Sequence, residues 1–310
     1  MATAVYSHPD CKKHEMGPYH PERPERLQAI EDQLISSRIS NYLEFREAPL
    51  AEVEDISRIH LPDTIAMVRD NVPDKLGRYY AVDADTHLNM YTWQAALRAA
   101  GAAVAATDAV IAGEIDNAFC LVRPVGHHAT ASSPMGFCIF NNVAIAAMRA
   151  MAVHGLERVA IIDFDVHHGN GTEESFADDS RVLMASFFQN PFYPYSGTEN
   201  KSRHMVNVPV PAGTAGDKVR QLVTEQWLPA LHAHRPEMIF ISAGFDAHRE
   251  DSVGGMELVE DDFAWMTQQL MEVARQHAKG RIVSFLEGGY SLSATARSAV
   301  AHIKALAELD

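Results

Sequence analysis

The sequence contains few cysteines, and they are not clustered. Its 310 residues include three, Cys11, Cys120 and Cys138, which lie far apart and form no Cys-x-x-Cys pair. This spacing excludes a zinc site built from clustered cysteines and argues against a disulfide framework. Scarce, unpaired cysteines are typical of a reducing compartment, so we predict a cytoplasmic protein.

The chain also lacks an excess of positive charge and an obvious membrane or export segment. It has 26 Lys and Arg against 41 Asp and Glu, a net charge of −15, which argues against direct binding to nucleic acid. We identify no apolar run that approaches the roughly 20 residues of a membrane-spanning helix. Residues 1–17 lack the apolar stretch of a signal peptide, so we expect no membrane association.

The chain does contain short apolar runs that alternate with longer helix-like stretches. The candidate strands are residues 118–123, 158–164, 181–187, 205–209, 238–243 and 282–286. The candidate helices are residues 92–112, 141–154, 216–234, 256–278 and 293–309. Strands that are apolar throughout are buried on both faces, as in parallel sheets covered by helices. The alternation predicts one α/β domain over residues 1–310.

Four of the candidate strands end in motifs that combine glycine with an ionisable or hydroxyl side chain. These motifs are "RPVGHHAT", "DFDVHHGNGT", "SAGFDAH" and "LEGGY". In open parallel sheets the ligand crevice lies beyond the carboxyl ends of the strands, so we expect the four motifs to meet at one site. The alternative is that each is an ordinary turn.

Metal binding is the first chemistry that these strand ends suggest. Asp165 and His167 are two residues apart, which in extended chain places both side chains on one side. Asp246 is the candidate third ligand. Two carboxylates and one imidazole form an open site for a borderline metal such as Zn²⁺. In the alternative, Asp163 and Asp165 cap the following turn and His167 packs.

Acid–base catalysis is the second kind of chemistry that these strand ends suggest. His127 and His128 follow Gly126, which allows the chain to turn both imidazoles toward the crevice, where they suit general acid–base catalysis. Tyr290 follows a Gly pair, and its phenol can donate a hydrogen bond to a developing oxyanion. Alternatively, the histidines are structural and the tyrosine packs or caps.

A family resemblance emerges from the order of the motifs. "HPERPERL", "RPVGHHA", "GFCIFNN", "DFDVHHGNGT", "SAGFDAH" and "LEGGY" resemble the zinc-dependent histone deacetylase family over nearly the whole chain. Asn170 stands where class I members usually carry Asp, which resembles the class II branch and its bacterial relatives. The resemblance implies the arginase–deacetylase fold, with a parallel sheet of about eight strands.

The resemblance also implies residue roles. Asp165, His167 and Asp246 would bind zinc, or ferrous iron in the cell, beside the tandem His127 and His128. Asp163 would hydrogen-bond His127, Asn170 would hydrogen-bond His128, and Tyr290 would polarise the substrate carbonyl. A K⁺ or Na⁺ site would use Asp163, Asp165, His167, Ser186 and Phe187. A second such site would use Phe176, Asp179 and Val182.

The same resemblance implies a narrow substrate channel. Its wall would contain Gly136, Phe137, Tyr193, Asp85, Val253 and Gly288. Aromatic walls suit an alkyl stem such as a lysine chain. Arg26 would line an inner cavity through which acetate leaves.

The leading functional hypothesis is a zinc-dependent amidohydrolase that removes acyl groups from lysine side chains or related amines. Its substrate partner would be an acyl-lysine peptide or protein, or a small acylated amine. Assembly into a homo-oligomer is a further possibility. The alternative is an acetylpolyamine deacetylase, although Val253 stands where polyamine-selective relatives place Glu. An arginase-like ureohydrolase and an inactive binding scaffold are the remaining alternatives.

Overall fold

A parallel sheet of eight strands forms the centre of the protein. The structure is a computed structural model, and it describes residues 2–199 and 202–309. The strands are β1 (Thr3–Ser7), β2 (Leu43–Glu47), β3 (Tyr80–Ala81), β4 (His87–Leu88), β5 (Asn117–Cys120), β6 (Val159–Asp163), β7 (Val182–Gln189), β8 (Met205–Val210), β9 (Met238–Ala243) and β10 (Ile282–Leu286). The large sheet has the order β2-β1-β5-β10-β9-β6-β7-β8, and β3 and β4 form a separate antiparallel pair.

Helices connect the strands and cover both faces of the sheet. They are α1 (Glu25–Ser36), α2 (Val53–Ile56), α3 (Pro62–Asp70), α4 (Thr92–Ala112), α5 (Asn142–Ala152), α6 (Asn170–Phe176), α7 (Gly216–Leu222), α8 (Leu228–His234), α9 (Glu260–His277) and α10 (Leu292–Leu306). A π-helical turn, Val223–Trp227, joins α7 to α8. Every residue of β5, β6, β7, β9 and β10 is buried, as expected for strands that are apolar on both faces.

The sheet order brings the four predicted site strands together. β5, β10, β9 and β6 are consecutive neighbours, and each pair is parallel. Their carboxyl ends therefore lie side by side along one edge of the sheet. This arrangement is the physical basis for a single crevice built from four distant parts of the chain.

The predicted fold class is confirmed, and all six predicted strands lie within a few residues of the observed ones. The elements that were not predicted are β1, β2, the short β3–β4 pair and the helices α1, α2, α3 and α6. β2 is an edge strand whose residues are all at least partly exposed, so it has no apolar run to detect. The helix predicted over 256–278 begins later, at Glu260, because the chain before it makes a turn and two short bridges.

Helix α4 corrects the expectation about apolar runs. Thr92–Ala112 forms one helix of 21 residues that is long and apolar enough, by composition alone, to cross a membrane. The expectation that no run approaches this length is wrong, because the many alanines outweigh Arg98 and Asp108 in the average hydropathy. The helix is largely buried against the sheet and α5, and 67% of its most apolar window is covered. This burial is typical of a helix in a domain core.

Gly101 in α4 permits a close approach that we expect to be essential for packing. A Cβ atom at this position would meet the Pro49 carbonyl oxygen at 1.9 Å. Gly101→Ala should therefore lower the free energy of unfolding by about 1–3 kcal/mol through overpacking, although alanine is the better helix former. Urea unfolding measures this loss, with the exposed Gln94→Ala of the same helix as the control. A Gly101→Ala protein as stable as the wild type would contradict the packing.

Candidate metal centre and channel

Three buried side chains converge at the carboxyl ends of β6 and β9. Potential ligand atoms of Asp165, His167 and Asp246 all lie within 4.8 Å of one another. His167 Nδ1 is 2.9 Å from Asp165 Oδ1 and 3.2 Å from Asp246 Oδ2. The structure thus brings together the three residues predicted as zinc ligands.

The surroundings of the three side chains fit a bound cation. Asp246 Oδ2 is buried and accepts no hydrogen bond of good geometry within residues 2–199 and 202–309. A Cβ atom at Gly288 would lie 2.0 Å from Asp246 Oδ2, and instead the Gly288 N–H donates to Asp165 Oδ2 at 2.8 Å. Two carboxylates and one imidazole form a donor set that Zn²⁺ accepts, with further coordination positions left open.

The protonation of these groups also indicates a site for positive charge. Burial lowers the pKa of His167, but the hydrogen bond to Asp165 and the close Asp246 carboxylate outweigh burial and raise that pKa to about 10. Burial and the nearby Asp165 raise the pKa of Asp246 to about 7. Without a metal, His167 and, in part, Asp246 therefore hold protons near neutral pH. A divalent ion has to displace at least one of these protons when it binds.

The tandem histidines lie beside this group, each with the partner predicted for it. His127 Nδ1 donates to Asp163 Oδ2 at 2.9 Å, and His128 Nδ1 donates to Asn170 Oδ1 at 2.8 Å. The two rings are 4.0 Å apart, centroid to centroid. Both Nε2 atoms are thereby left for chemistry on the side of the metal centre.

The two histidines have opposite electrostatic environments. Burial lowers the pKa of His127, but the carboxylates of Asp163, Asp165 and Glu287 outweigh burial and raise that pKa well above its ordinary value. Burial, together with the neighbouring His127 and His167, lowers the pKa of His128 well below its ordinary value. His128 is therefore neutral at physiological pH and able to accept a proton.

Tyr290 reaches the site from the turn that follows β10. Burial, with Asp246 nearby, raises the pKa of Tyr290 well above its ordinary value, so the phenol keeps its proton. The Arg26 guanidinium lies 5.0 Å from the centre of the Tyr290 ring. Arg26 is itself fully buried and donates to the carbonyl oxygen of Gly289 at 2.6 Å and to that of Glu287. Arg26 thus supports the tyrosine turn, and its role in acetate exit stays a prediction.

A cavity of about 210 Å³ reaches His167, one of the three predicted metal ligands. The residues that line it are Asp85, His128, Gly136, Phe137, His167, Phe192, Tyr193, Val253 and Tyr290. Every residue predicted for the channel is among them except Gly288, which lies behind the carboxylates of Asp165 and Asp246.

The cavity wall is fixed by local contacts. Phe137 has a positive φ of 68°, a conformation that costs a bulky residue energy, and its N–H donates to Thr86 Oγ1 at 3.0 Å. Phe192, which was not predicted, stacks on the His167 ring with the two ring centroids 5.2 Å apart. "PFYPYSG" was its signal, but a sequence with adjacent aromatic residues does not reveal which ring faces inward.

The predicted monovalent-cation residues also lie near one another. Asp163 on β6 is the register partner of Ser186 on β7. In the second set, the Asp179 N–H donates to the Phe176 carbonyl oxygen, and the Val182 N–H donates to that of Asp179, each at 3.0 Å. These contacts bring together Asp163 and Ser186 of the first set and the three residues of the second set, while their role as cation ligands and the ions themselves stay predictions.

Two features of the site were not predicted. Glu287 is fully buried next to the tandem histidines, and its side chain accepts hydrogen bonds from the Gly126 and His127 N–H groups. Glu22 and Arg123, also fully buried, form an ion pair that joins the Arg26 guanidinium. Glu287 lies in the motif "LEGGY" and Glu22 in "HPERPERL", but the residues that they bond are far away in the sequence, so neither role could be predicted.

Comparisons with known proteins agree over most of the chain. Residues 20–306 match the family model described as the histone deacetylase domain. The chain is 37% identical over 300 residues to a probable deacetylase of Archaeoglobus fulgidus, covering 94% of this chain and 82% of the relative. It is 39% identical over 282 residues to the histone deacetylase-like amidohydrolase of Pseudomonas aeruginosa, covering 88% of this chain and 73% of the relative. The crystal structure of the HDA15 HD domain superposes with a TM-score of 0.93 at 34% identity, covering 100% of this chain and 90% of that one.

Metal affinity should depend on pH because the ligands hold protons when metal-free. With the pKa of His167 near 10, a divalent ion displaces one proton at neutral pH, so affinity increases as pH rises. We expect the apparent Kd for Zn²⁺ to fall about tenfold from pH 7 to pH 8. Below pH 7 the dependence should steepen, since Asp246, with its pKa near 7, also releases a proton. Competition with a chelator at constant ionic strength measures this, and a pH-independent Kd would contradict it.

Proposed function

The chain belongs to the histone deacetylase family and is a deacetylase, and we propose that it is a zinc-dependent amidohydrolase acting on acyl-lysine side chains or related amines. The observation that carries this proposal is the shared cavity. His167, which belongs to the buried group of Asp165, His167 and Asp246, lines this cavity together with His128 and Tyr290. A metal centre, a neutral base and a hydrogen-bond donor thus face one space.

Asp165, His167 and Asp246 would hold the metal ion, Zn²⁺ or ferrous iron in the cell. When bound, such an ion polarises the amide carbonyl and lowers the pKa of a water molecule. A K⁺ or Na⁺ ion beside Asp163, at the end of β6, and its register partner Ser186, within β7, would support the same region. The Asp165 N–H donates to Asp163 Oδ1 at 3.1 Å, and this contact with a proposed zinc ligand supports the assignment.

His128 is the general base in this proposal. Its low pKa leaves the imidazole neutral, and its hydrogen bond to Asn170 directs Nε2 for proton transfer. It accepts the proton of the attacking water and delivers it to the leaving amine. His127, kept charged by its contact with Asp163, contributes positive charge beside the developing oxyanion.

Tyr290 donates a hydrogen bond to the oxyanion that forms on the substrate carbonyl. Its raised pKa keeps the hydroxyl protonated, and burial makes the hydrogen bond stronger than it would be in water. The hydrogen bonds of Arg26 to the preceding turn fix the position of the ring. The products are a free amine and a carboxylate.

The channel suits an acyl-lysine stem. Phe137 and Phe192 provide apolar walls for a methylene chain, and Asp85 is a carboxylate at the cavity for the polar end of a substrate. An acyl-lysine peptide or protein is therefore the proposed substrate, and a small acylated amine is the second possibility. The sequence leads us to expect no nucleic-acid partner and no membrane partner. It also leads us to expect a cytoplasmic location and allows a homo-oligomer.

The acetylpolyamine alternative receives less support from the channel. Val253, an apolar residue, lines the cavity where polyamine-selective relatives place Glu. The acidic neighbours are engaged elsewhere, because Glu250 bonds Arg297 at 2.9 Å and Asp251 accepts the backbone N–H groups of Tyr290 and Ser291. Asp85 is the one carboxylate among the described residues lining this cavity that could attract a substrate ammonium.

An arginase-like reaction needs a second metal with its own carboxylates. Asp163 is already hydrogen-bonded to His127, and His168 is paired with Glu173 at 2.7 Å. Within the described part of the chain, the only other group that matches metal-ligand geometry is His127, Cys138 and Glu287, which has a single carboxylate. One divalent ion is therefore the better reading. The inactive scaffold is disfavoured since all of the ligands, His127, His128 and Tyr290 are present.

Replacing Tyr290 tests the oxyanion assignment. Tyr290→Phe removes only the hydroxyl, so we expect kcat to fall by about 10²–10³ while the metal remains bound. Tyr193→Phe is the matched control, because this phenol lines the same cavity without an assigned role in the reaction. Steady-state kinetics on an acetyl-lysine peptide measures both variants. Unchanged turnover of Tyr290→Phe would remove the phenol from the mechanism.

A direct comparison of substrates tests the substrate class. We expect kcat/KM for an acetyl-lysine peptide to exceed that for acetylated spermidine or putrescine, since Val253 offers no charge for an ammonium. Asp85→Asn should raise KM for the peptide with little change in kcat, because the carboxylate contacts parts of the substrate away from the reaction. Higher kcat/KM for the polyamines would support the alternative. Longer acyl-lysines in the same assay define acyl preference.

A further inference from the structure

Glu287 is a buried carboxylate at the junction of the catalytic loops. It follows β10 directly, and its side chain has no exposure to solvent. Oε2 accepts the N–H groups of Gly126 at 2.8 Å and of His127 at 3.2 Å. Oε1 accepts the hydroxyl of Ser242, on β9, at 3.1 Å. One carboxyl group therefore bonds the histidine loop and the neighbouring strand.

The backbone around Glu287 extends these connections. Its N–H donates to the Ala243 carbonyl oxygen at 3.0 Å, and its own carbonyl accepts a hydrogen bond from Arg26. The next residue, Gly288, donates to Asp165 Oδ2 at 2.8 Å. A displacement of Glu287 would therefore also displace the histidine loop, the metal ligand Asp165 and the turn that carries Tyr290.

Keeping a carboxylate here is costly. A buried carboxylate loses its hydration, and burial raises the pKa of Glu287 to about 7. Within residues 2–199 and 202–309, its side chain accepts hydrogen bonds from two backbone N–H groups and one hydroxyl rather than from Arg or Lys. These donors belong to the loop and the strand next to the reacting groups, which indicates a purpose beyond packing.

We propose that Glu287 is a positioning residue whose side chain holds His127 and the end of β9 in register with the Gly288–Tyr290 turn. The proposal rests on the roles assigned above to His127, His128 and Tyr290. These groups act on one substrate carbonyl, so a displacement of about 1 Å between their loops is expected to cost turnover more than binding. The acceptor geometry of the side chain matters in this role.

Three substitutions of Glu287 separate positioning from other roles. Glu287→Gln keeps length and an oxygen that accepts both N–H groups, and its amide can donate to Ser242. Glu287→Asp keeps the charge but is too short to reach all three donors, and Glu287→Ala removes every contact. Positioning predicts that kcat falls about 10–100-fold in the Ala and Asp variants, while the Gln variant stays near the wild type. KM and metal content should change little in all three.

Ser284→Ala is the matched control from the same strand. Ser284 is fully buried and its hydroxyl bonds His302 Nε2 at 2.8 Å, away from the metal centre. Its loss should lower the melting temperature without lowering kcat. If Glu287→Ala does not fold, the contrast between the Asp and Gln variants decides the matter.

A second readout does not depend on the substrate. In ¹⁵N-histidine NMR spectra, the Nδ1 proton that His127 shares with Asp163 should shift or broaden in Glu287→Ala and Glu287→Asp and stay unchanged in Glu287→Gln and Ser284→Ala. If the wild type hydrolyses no acyl-lysine substrate, the proposed function fails and this signal still tests positioning.

Three outcomes would overturn the positioning role. One is wild-type kcat and an unchanged His127 signal in Glu287→Ala and Glu287→Asp. Another is a Gln variant as impaired as the Ala variant, which would assign the effect to the acid itself. The third is loss of the metal on substitution, which would make Glu287 a ligand.

Discussion

The structure depends on two buried carboxylates, those of Asp165 and Asp246, that are held close together around His167. In a low-dielectric interior, like charges at this separation repel strongly unless a cation or a proton lies between them. The raised pKa of Asp246 and that of His167 are two expressions of this constraint. A divalent cation satisfies it directly, and the rest of the site is arranged around the place where such an ion would bind.

The sheet imposes this proximity. Asp165 and Asp246 follow β6 and β9, neighbouring parallel strands whose register is fixed by fully buried apolar residues. The adjacent β5 and β10 bring the tandem histidines and Tyr290 to the same edge. Behind the site, buried ion pairs such as Glu22–Arg123 and the hydrogen bonds of Glu287 hold the loops without access to water. The scaffold is therefore preorganised, and the repulsion cannot be relieved by moving the carboxylates apart.

The sequence predicts much of this arrangement because the essential signals are local. The strand-end rule brings Asp165, Asp246 and Tyr290 to one edge of the sheet. The reason given for Asp165 and His167 was wrong, because β6 ends at Asp163 and the two side chains meet in a bend, where the His167 N–H donates to Asp165 Oδ1 at 2.9 Å, rather than in extended chain. What the sequence does not predict depends on distant partners. The role of Glu287 requires knowing that β5 and β9 flank β10, and the inward face of Phe192 depends on the shape of its loop. Likewise, β2 is recognisable only once β1 is beside it, since only Leu43 and Phe45 of its five residues are apolar and all five are at least partly exposed.

The most direct test of this account is the number and place of divalent ions in the purified protein. Elemental analysis, combined with anomalous diffraction at the zinc edge, should find about one transition-metal ion per chain between Asp165, His167 and Asp246. Asp246→Asn, which removes one of the two charges, should lose that ion while the chain stays folded. Two transition-metal ions per chain, or one ion retained in full by Asp246→Asn, would contradict the account.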